Sequence, residues 1–196
     1  MLAAFALLTG CASTPAPAPT TSSPSPATST PIPTVPPSET DVPLVLPDCV
    51  DLVPLTVAQD ALGPDTVALA AGASAPDLMS DAAAAEAARD ASSTRVCTWG
   101  IPQSDGGFNV VVAELSPASR DALLASISAS GAYVESTVGG APSFSAETPT
   151  ELGIASVVYV FADTGWVTVS GSLEESGALA VAEAALDGLR AANPAL

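Results

Sequence analysis

The sequence predicts an α+β fold, in which helices pack against an antiparallel sheet of hairpins behind a long unstructured linker. Three observations predict it. Apolar runs occur in pairs joined by Gly- and Asp-rich turns, helix-capping signals stand between and after these pairs, and the N-terminal part is rich in proline. Strands paired in hairpins, rather than alternating singly with helices, favour an antiparallel sheet.

The first hairpin has the clearest turn. "RVCTWGI" (95–101) and "FNVVVAEL" (108–115) flank "PQSDGG", and its Asp105-Gly106-Gly107 favours a tight reversal of the chain. We therefore expect two adjacent antiparallel strands here.

Two more hairpins follow in the second half. "AYVESTV" and "PSFSAE" are joined by Gly139-Gly140, and "IASVVYVFA" and "GWVTVSGS" are joined through Asp163-Thr164-Gly165. The run Val157–Phe161 is apolar on both faces of a strand. We expect it in the middle of the sheet with both faces covered.

Capping signals mark two helices beside the first hairpin. In "TVAQDALG" (56–63), Thr56 is a candidate N-cap, Gln59 stands at the capping-box position and Gly63 is a candidate C-cap. In "SPASRDALLASISASG" (116–131), Ser116 is the N-cap, Pro117 the first helical residue and Gly131 the C-cap. The apolar stripe of this second helix consists of Leu123, Leu124 and Ile127.

Two further helices are predicted. "SDAAAAEAARDASS" (80–93) has high helix propensity but little apolar face beyond alanine, which indicates a surface helix or an ordered insertion. The C-terminal segment, "SLEESGALAVAEAALDGLRAAN", begins with a capping box of Ser172 and Glu175. Its apolar side chains fall on one helical face, namely Leu179, Ala182, Leu186 and Leu189.

The N-terminal residues indicate export. The apolar run Leu2–Leu8 is too short to cross a bilayer, which takes about 20 residues, but suits a signal peptide. Leu8-Thr9-Gly10-Cys11 resembles the lipobox of bacterial lipoproteins, and the resemblance implies a signal peptide over 1–10 and a lipid on Cys11. Because Met1–Ala4 carries no basic residue, we expect a natural start further upstream. The alternative is an ordinary cleaved signal containing a stray cysteine.

Residues 11–47 are the lipidated cysteine and its linker. Positions 12–47 hold eleven of the nineteen prolines, with Ser, Thr and Ala filling most of the rest. Such a segment buries too little surface to offset its ordering entropy and favours extended polyproline II. A tether that lifts residues 48–196, about 150 residues and enough for one domain, off a membrane explains this composition. A proline-rich ligand for a partner domain is the alternative.

The charge balance excludes one class of partner. The chain has 21 acidic residues against four arginines, no lysine and no histidine, for a net charge of −17. Nucleic-acid binding needs a basic footprint, and electrostatic docking on anionic lipid needs one as well. We therefore predict no nucleic-acid partner. The same composition is also typical of a high-GC actinobacterial genome, in which case the charge reports codon bias and solubility.

Two cysteines remain once Cys11 is assigned to lipid. An even pair in an exported domain predicts a disulfide between Cys49 and Cys97. A metal site is disfavoured because there is no histidine and no close cysteine pair, and a redox pair is disfavoured because there is no Cys-x-x-Cys. We predict no metal and no cofactor.

A second resemblance concerns the exported part. Cys49-Val50-Asp51-Leu52-Val53-Pro54, then Ala61-Leu62-Gly63, then Cys97-Thr98-Trp99 are similar to a group of actinobacterial lipoproteins. Their exported domain opens with Cys-x-x-Leu, runs through a short helix ending in Leu-Gly, and reaches a strand with Cys-x-Trp. The resemblance implies location and architecture but no activity.

The functional prediction is a lipid-anchored ligand-binding or accessory module of the cell envelope on the extracytoplasmic face, not an enzyme. Without histidine or lysine, several nucleophilic mechanisms and the phosphate-binding loop are excluded. The alternative is an envelope glycan hydrolase using paired carboxylates, for which the acids near strands are candidates: Glu114, Glu135, Glu147, Glu151 and Asp163. Because acids are abundant in this chain, a solvated face is the favoured interpretation of these residues. Four aromatic residues either line a groove or belong to the core: Trp99, Tyr159, Phe161 and Trp166.

Overall fold

A computed structural model describes residues 43–151 and 153–196, and their fold is α+β, as predicted. Within these residues, seven strands form one antiparallel sheet with the order β1-β2-β3-β7-β6-β5-β4. The strands are β1 (Val67–Leu69), β2 (Ser93–Gly100), β3 (Gly107–Glu114), β4 (Val134–Val138), β5 (Ala141–Thr150), β6 (Gly153–Ala162) and β7 (Gly165–Gly171). The helices are α1 (Cys49–Leu52), α2 (Leu55–Leu62), α3 (Ala82–Asp90), α4 (Pro117–Ser130) and α5 (Glu175–Ala192), with a 3₁₀ turn at Pro76–Leu78.

One face of the sheet packs against α5, together with α1 and α2. The small side chains of Ala178, Ala182 and Ala185 let α5 approach β6 and β7 closely. We call this cluster the first core; its fully buried members include Leu52, Val110, Val158, Val160, Val169, Val181 and Leu186. Alternation of side chains along each strand sends the valines of β3, β6 and β7 in this cluster to the α5 side.

The other face carries a second core under α3 and α4. Its large members are aromatic, namely Phe144, Tyr159, Phe161 and Trp166. The rings of Phe161 and Trp166 stack with centroids 6.3 Å apart, and Phe144 meets Phe161 edge to face at 6.1 Å. The covering side chains are mostly alanines of α3 with Leu123 and Ile127 of α4, so large rings of the sheet fill the space beneath small helical side chains.

The three predicted hairpins are confirmed. They are β2–β3, β4–β5 and β6–β7, and β5 also pairs with β6. Gly139 and Gly140 have φ of +55° and +80°, the left-handed pair that a type I′ turn requires. The run Val157–Phe161 lies within β6, between β5 and β7, and its residues 158–161 are buried. Its predicted place in the middle of the sheet is therefore confirmed.

Helix α4 begins and ends as predicted, whereas α2 begins differently. The Ser116 hydroxyl accepts the Ser119 N–H at 3.1 Å, and Gly131 ends α4 in the left-handed conformation. For α2, the predicted capping box is wrong, because the helix begins at Leu55 and Thr56 lies inside it. Its end at Gly63 is confirmed.

The capping box predicted for α5 is also wrong. The helix begins at Glu175 with Glu174 as N-cap, so Ser172 lies outside it. A side chain from β5 caps it instead: the Glu147 carboxylate accepts the Glu175 N–H at 2.8 Å. The predicted apolar face is confirmed, since Ala182, Leu186 and Leu189 are buried and Leu179 packs against the first core.

Helix α3 is not a surface helix. The Asp81 carboxylate caps it by accepting the N–H groups of Ala83 and Ala84, and four of its own alanines are buried, namely Ala84, Ala85, Ala87 and Ala88. Alanine suffices as an apolar face here because the aromatic rings of the second core reach up to it. Strand β1, helix α1 and the 3₁₀ turn have no counterpart in the prediction.

The linker prediction is wrong for residues 43–47. Leu44 and Leu46 pack against the first core, and we call Leu44–Leu46 the strap. The Asn193 side chain holds the strap at both backbone groups of Val45, accepting its N–H and donating to its C=O, each at 2.8 Å. The predicted signal peptide, Cys11 and the rest of the linker lie outside the described residues.

Candidate functional site

The disulfide is confirmed and ties the start of the described chain to the sheet. Cys49 begins α1 and Cys97 lies in β2, with their Cα atoms 5.4 Å apart. The side chain of Trp99 is buried in the first core beside Cys97, on the same face of β2. Arg95 adds contacts at this corner: its guanidinium donates to the Leu46 carbonyl at 3.2 Å and lies 3.6 Å from the Asp48 carboxylate.

Among the five candidate acids, Glu114 positions the strap. One carboxylate oxygen accepts the Leu44 N–H at 3.0 Å, and the other accepts the Ser92 hydroxyl at 2.7 Å. A carboxylate held by hydrogen bonds at both oxygens acts as a fixed acceptor for the chain's own groups.

Glu147 has a comparable structural use at the start of α5. Its bond to the Glu175 N–H places a negative charge at a helix N-terminus, which the helix dipole favours. The Glu175 carboxylate in turn accepts the Ser145 hydroxyl at 2.6 Å. Ser145 is 2 % exposed, so this hydroxyl faces the interior rather than a substrate.

The remaining three candidate acids lie in different parts of the sheet. Glu135 is exposed on the edge strand β4, and Glu151 is exposed at the β5–β6 connection. Asp163 lies in the β6–β7 turn with φ of +49°. None of the five lines either of the two grooves described below, which are built from helices.

The four candidate aromatic residues are core residues. Trp99 belongs to the first core, while Tyr159, Phe161 and Trp166 belong to the second, and none is more than 1 % exposed. Of the two interpretations the sequence leaves open, the structure therefore selects the core.

Burial leaves some polar atoms of the second core unpaired. Among the described residues, no hydrogen-bond partner meets the Tyr159 hydroxyl, the Trp166 indole N–H or the Thr168 hydroxyl. Burial is also the main reason why the pKa of Tyr159 lies far above its ordinary value, and the nearby hydroxyl of Tyr133 adds to the effect. Burial raises the pKa of Tyr133 as well. These phenols stay neutral at physiological pH.

A groove of about 440 Å³ lies between α3 and α4. Its floor is apolar and includes Ala87 and Leu123, both members of the second core. Its acidic members are Glu86 and Asp90, one helical turn apart on α3. The groove is therefore a shallow apolar surface with one acidic wall.

A second groove, of about 400 Å³, lies between α2 and α5. It brings together Asp60 of α2 and Glu183 of α5, two acids separated widely in the sequence. Sequence reasoning missed them because it looked for acids beside strands. Nothing local marks them either, since each stands on the polar face of its own helix.

No helix among the described residues combines the length and the apolarity of a membrane span. Nowhere in residues 43–151 and 153–196 do three or more His, Cys, Asp or Glu side chains gather closely enough to hold a metal ion. The predicted lipid on Cys11 lies outside these residues. The predicted absence of a cofactor and of a nucleic-acid partner stays a prediction.

Comparison with family models and with curated proteins gives no match.

Proposed function

We propose that this chain is a membrane-anchored lipoprotein on the extracytoplasmic face, whose folded part is a ligand-binding or accessory module of the cell envelope. The Cys49–Cys97 disulfide carries the proposal. Disulfides persist in oxidising compartments and are rare where thiols are kept reduced. An exported chain with Leu8-Thr9-Gly10-Cys11 near its start would be lipidated at Cys11 and leave the domain outside the membrane.

The junction between linker and folded part supports a tethered arrangement. Within four residues of the strap, the chain is covalently bonded to β2 through Cys49. The strap itself is held by Asn193 and Glu114, which lie 148 and 70 residues away in the sequence. A pull transmitted along a tether would therefore reach β2 and the end of α5 rather than peel off a single element.

A binding role is favoured over hydrolysis by how the acids are used. Glu114 and Glu147 each hold a backbone N–H of the chain itself, so a substrate would have to compete with these bonds. The described grooves are shallow and built mostly from small helical side chains. Such surfaces suit contact with a partner or an extended ligand more than enclosure of a scissile bond.

Anchoring is tested by metabolic labelling. The chain, with a basic segment added before Met1, is expressed in a bacterium that processes lipoproteins, and labelled fatty acid is supplied. We expect label and membrane association for the unsubstituted chain and loss of both for Cys11→Ala. Equal labelling of the two chains would contradict the proposal.

The choice between module and hydrolase is tested on purified cell-wall glycan. The Cys11→Ala chain is sedimented with the insoluble glycan, and the supernatant is analysed for released sugars. Retention without sugar release is expected for a module that recognises the wall. Release that disappears in Glu135→Gln or Glu151→Gln would support the hydrolase instead.

A further inference from the structure

We propose that the edge strand β4 is the contact through which two copies of this chain form a dimer, pairing antiparallel about Ser136. Three observations support it: backbone hydrogen-bonding groups of β4 point toward the free edge, the sequence of β4 is nearly symmetric, and β4 has few of the features that usually prevent pairing at a sheet edge. It does not depend on the proposed lipid anchor.

The phase of β4 follows from its pairing with β5. The type I′ turn at Gly139-Gly140 is closed by the pair Val138–Ala141, which makes that pair hydrogen-bonded. The next pair joins Thr137 to Pro142. Because proline has no N–H, this is a non-hydrogen-bonded pair. Pair types alternate along an antiparallel ladder. The backbone N–H and C=O groups of Glu135 and Thr137 therefore point away from β5, toward the free edge of the sheet.

These outward groups match those of a second copy. If two β4 strands run antiparallel with Ser136 opposite Ser136, Glu135 of each copy faces Thr137 of the other. Both residues present their N–H and C=O outward, so the pairing forms four hydrogen bonds across the dyad. No described residue forms a hydrogen bond with these backbone groups in the single chain.

The side chains of β4 also suit this pairing. The sequence Val134-Glu135-Ser136-Thr137-Val138 reads nearly the same from either end. Val134, which is 64 % exposed, would lie opposite Val138 of the other copy on the α5 side of the sheet. Glu135 would lie opposite a neutral threonine, so no like charges face each other directly.

Two other exposed edges, strand β1 and the free part of β5, carry features that oppose such pairing. Strand β1, at the far edge, has three residues. The part of β5 that extends beyond β4 contains Glu147 and Pro149. Short strands, charges and proline are the usual protections of sheet edges. In β4 the sole such feature is Glu135, and the chain's own linker, with a proline at about every third position, is a poor strand partner.

Covalent trapping tests the register. Full-length chains carrying Cys11→Ala, so that an added thiol has no other unpaired thiol to join, are oxidised and examined without reductant. For Ser136→Cys we expect an intermolecular disulfide, because a non-hydrogen-bonded pair places Cα atoms about 4.5 Å apart. For Glu135→Cys, the two substituted residues would be diagonal neighbours with Cα atoms roughly 7–8 Å apart, so we expect little product. Ala68→Cys, on β1, controls for random collision.

The mass of the chain without any added cysteine provides the second measurement. Light scattering on the full-length Cys11→Ala chain should give twice 19.2 kDa, and added salt should favour the dimer because both copies are acidic. Thr137→Pro removes an outward N–H without breaking the β4–β5 ladder and should give a monomer that melts within about 3 °C of the parent.

Each unfavourable result overturns the proposal. If the chain is a monomer at all protein and salt concentrations, β4 does not pair with a second copy, and a strand of another protein would be the remaining partner. A dimer whose Ser136→Cys form does not cross-link more than Ala68→Cys would place the contact elsewhere, and so would a dimer that survives Thr137→Pro.

Discussion

Several side chains have a role that depends on one specific distant atom. Tyr159 is an example, since its ring packs between Tyr133 and Trp166 while its hydroxyl has no hydrogen-bond partner among the described residues. The lack of a side chain matters at Gly188, because α5 approaches the backbone of α1 closely there. Both can be tested by single substitutions with opposite expected signs.

Tyr159→Phe should leave stability at pH 7 unchanged or raise it by up to about 1 kcal/mol. The substitution removes a buried hydroxyl that forms no compensating bond while keeping the ring contacts. Urea unfolding at pH 7 measures this. A loss of more than about 1 kcal/mol would show that the hydroxyl has a partner.

The same residue should make the folded state sensitive to alkali. The pKa of Tyr159 is raised by burial, so below about pH 10 folded and unfolded chains both keep the phenolic proton and stability is full. Above that pH the unfolded chain releases the proton and the folded one does not, so stability falls as pH rises. In Tyr159→Phe this fall, measured by thermal melts from pH 7 to 11, should be smaller.

Gly188→Ala should destabilise the fold by about 1–3 kcal/mol, the usual cost of overpacking. A Cβ at this position would lie 2.9 Å from the Leu52 Cα, and the backbone of α1 cannot easily move because Cys49 is cross-linked. Gly177→Ala is the matched control on the same helix. Its Cβ would lie 3.4 Å from the Ala61 carbonyl, so it should be neutral or gain up to about 1 kcal/mol in helix propensity. Equal losses in thermal melts would contradict the close approach at Gly188.

At the scale of elements, the strap and the linker before it should contribute very differently to stability. Leu44 and Leu46 pack on the first core. The backbone of the strap is hydrogen-bonded to the side chains of Glu114, in β3, and Asn193, directly after α5. The linker before it offers alternating proline and small polar residues, which have little to bury.

Deletion of Thr20–Thr40 should therefore leave the melting temperature unchanged, whereas Asn193→Ala should lower stability by about 1 kcal/mol. The asparagine supplies two bonds to Val45 and also donates to the Leu189 carbonyl at the end of α5. Differential scanning calorimetry of the two variants provides the measurement. A drop of several degrees in the deletion variant would mean that the linker docks on the folded part.

For the molecule as a whole, the disulfide joins the first helix to the second strand of the sheet. The two cysteines, the first residue of α1 and a residue of β2, are 48 residues apart in the sequence. In between lie α2, β1 and α3, elements with modest apolar faces of their own. Restricting the unfolded chain over this loop stabilises all of them together.

Cys49→Ala/Cys97→Ala should accordingly melt well below the oxidised chain. Chain-entropy arguments give ~4 kcal/mol for a loop of this length, an upper-end value, which corresponds to about 8–16 °C for a chain of this size. Reduction of the unsubstituted chain should have a similar effect, and Cys11→Ala alone should have none. A change below about 2 °C in the double variant would contradict the role given to the bond.

Local signals predicted local structure well. The Ser116, Pro117 and Gly131 pattern placed α4 to the residue, and Gly139-Gly140 placed the β4–β5 turn. Such signals work because a cap or a tight turn is decided by backbone conformation and hydrogen bonds within four or five residues. The capping box of α5 failed for the complementary reason, since the group that caps Glu175 comes from Glu147 on another strand.

By itself, the sequence determined the α+β class, the hairpins, both ends of α4, the end of α2 and the Cys49–Cys97 pair, because turn chemistry, capping and the number of available cysteines are readable along the chain. Tertiary structure alone decided that Glu114 and Asn193 hold the strap, that α3 covers a core with alanines, and that Asp60 and Glu183 line the same groove. Each of these depends on partners brought together by sheet order and helix packing. The strap and the side chains that hold it are 70 and 148 residues apart, and no local pattern records which distant residues the fold will bring together.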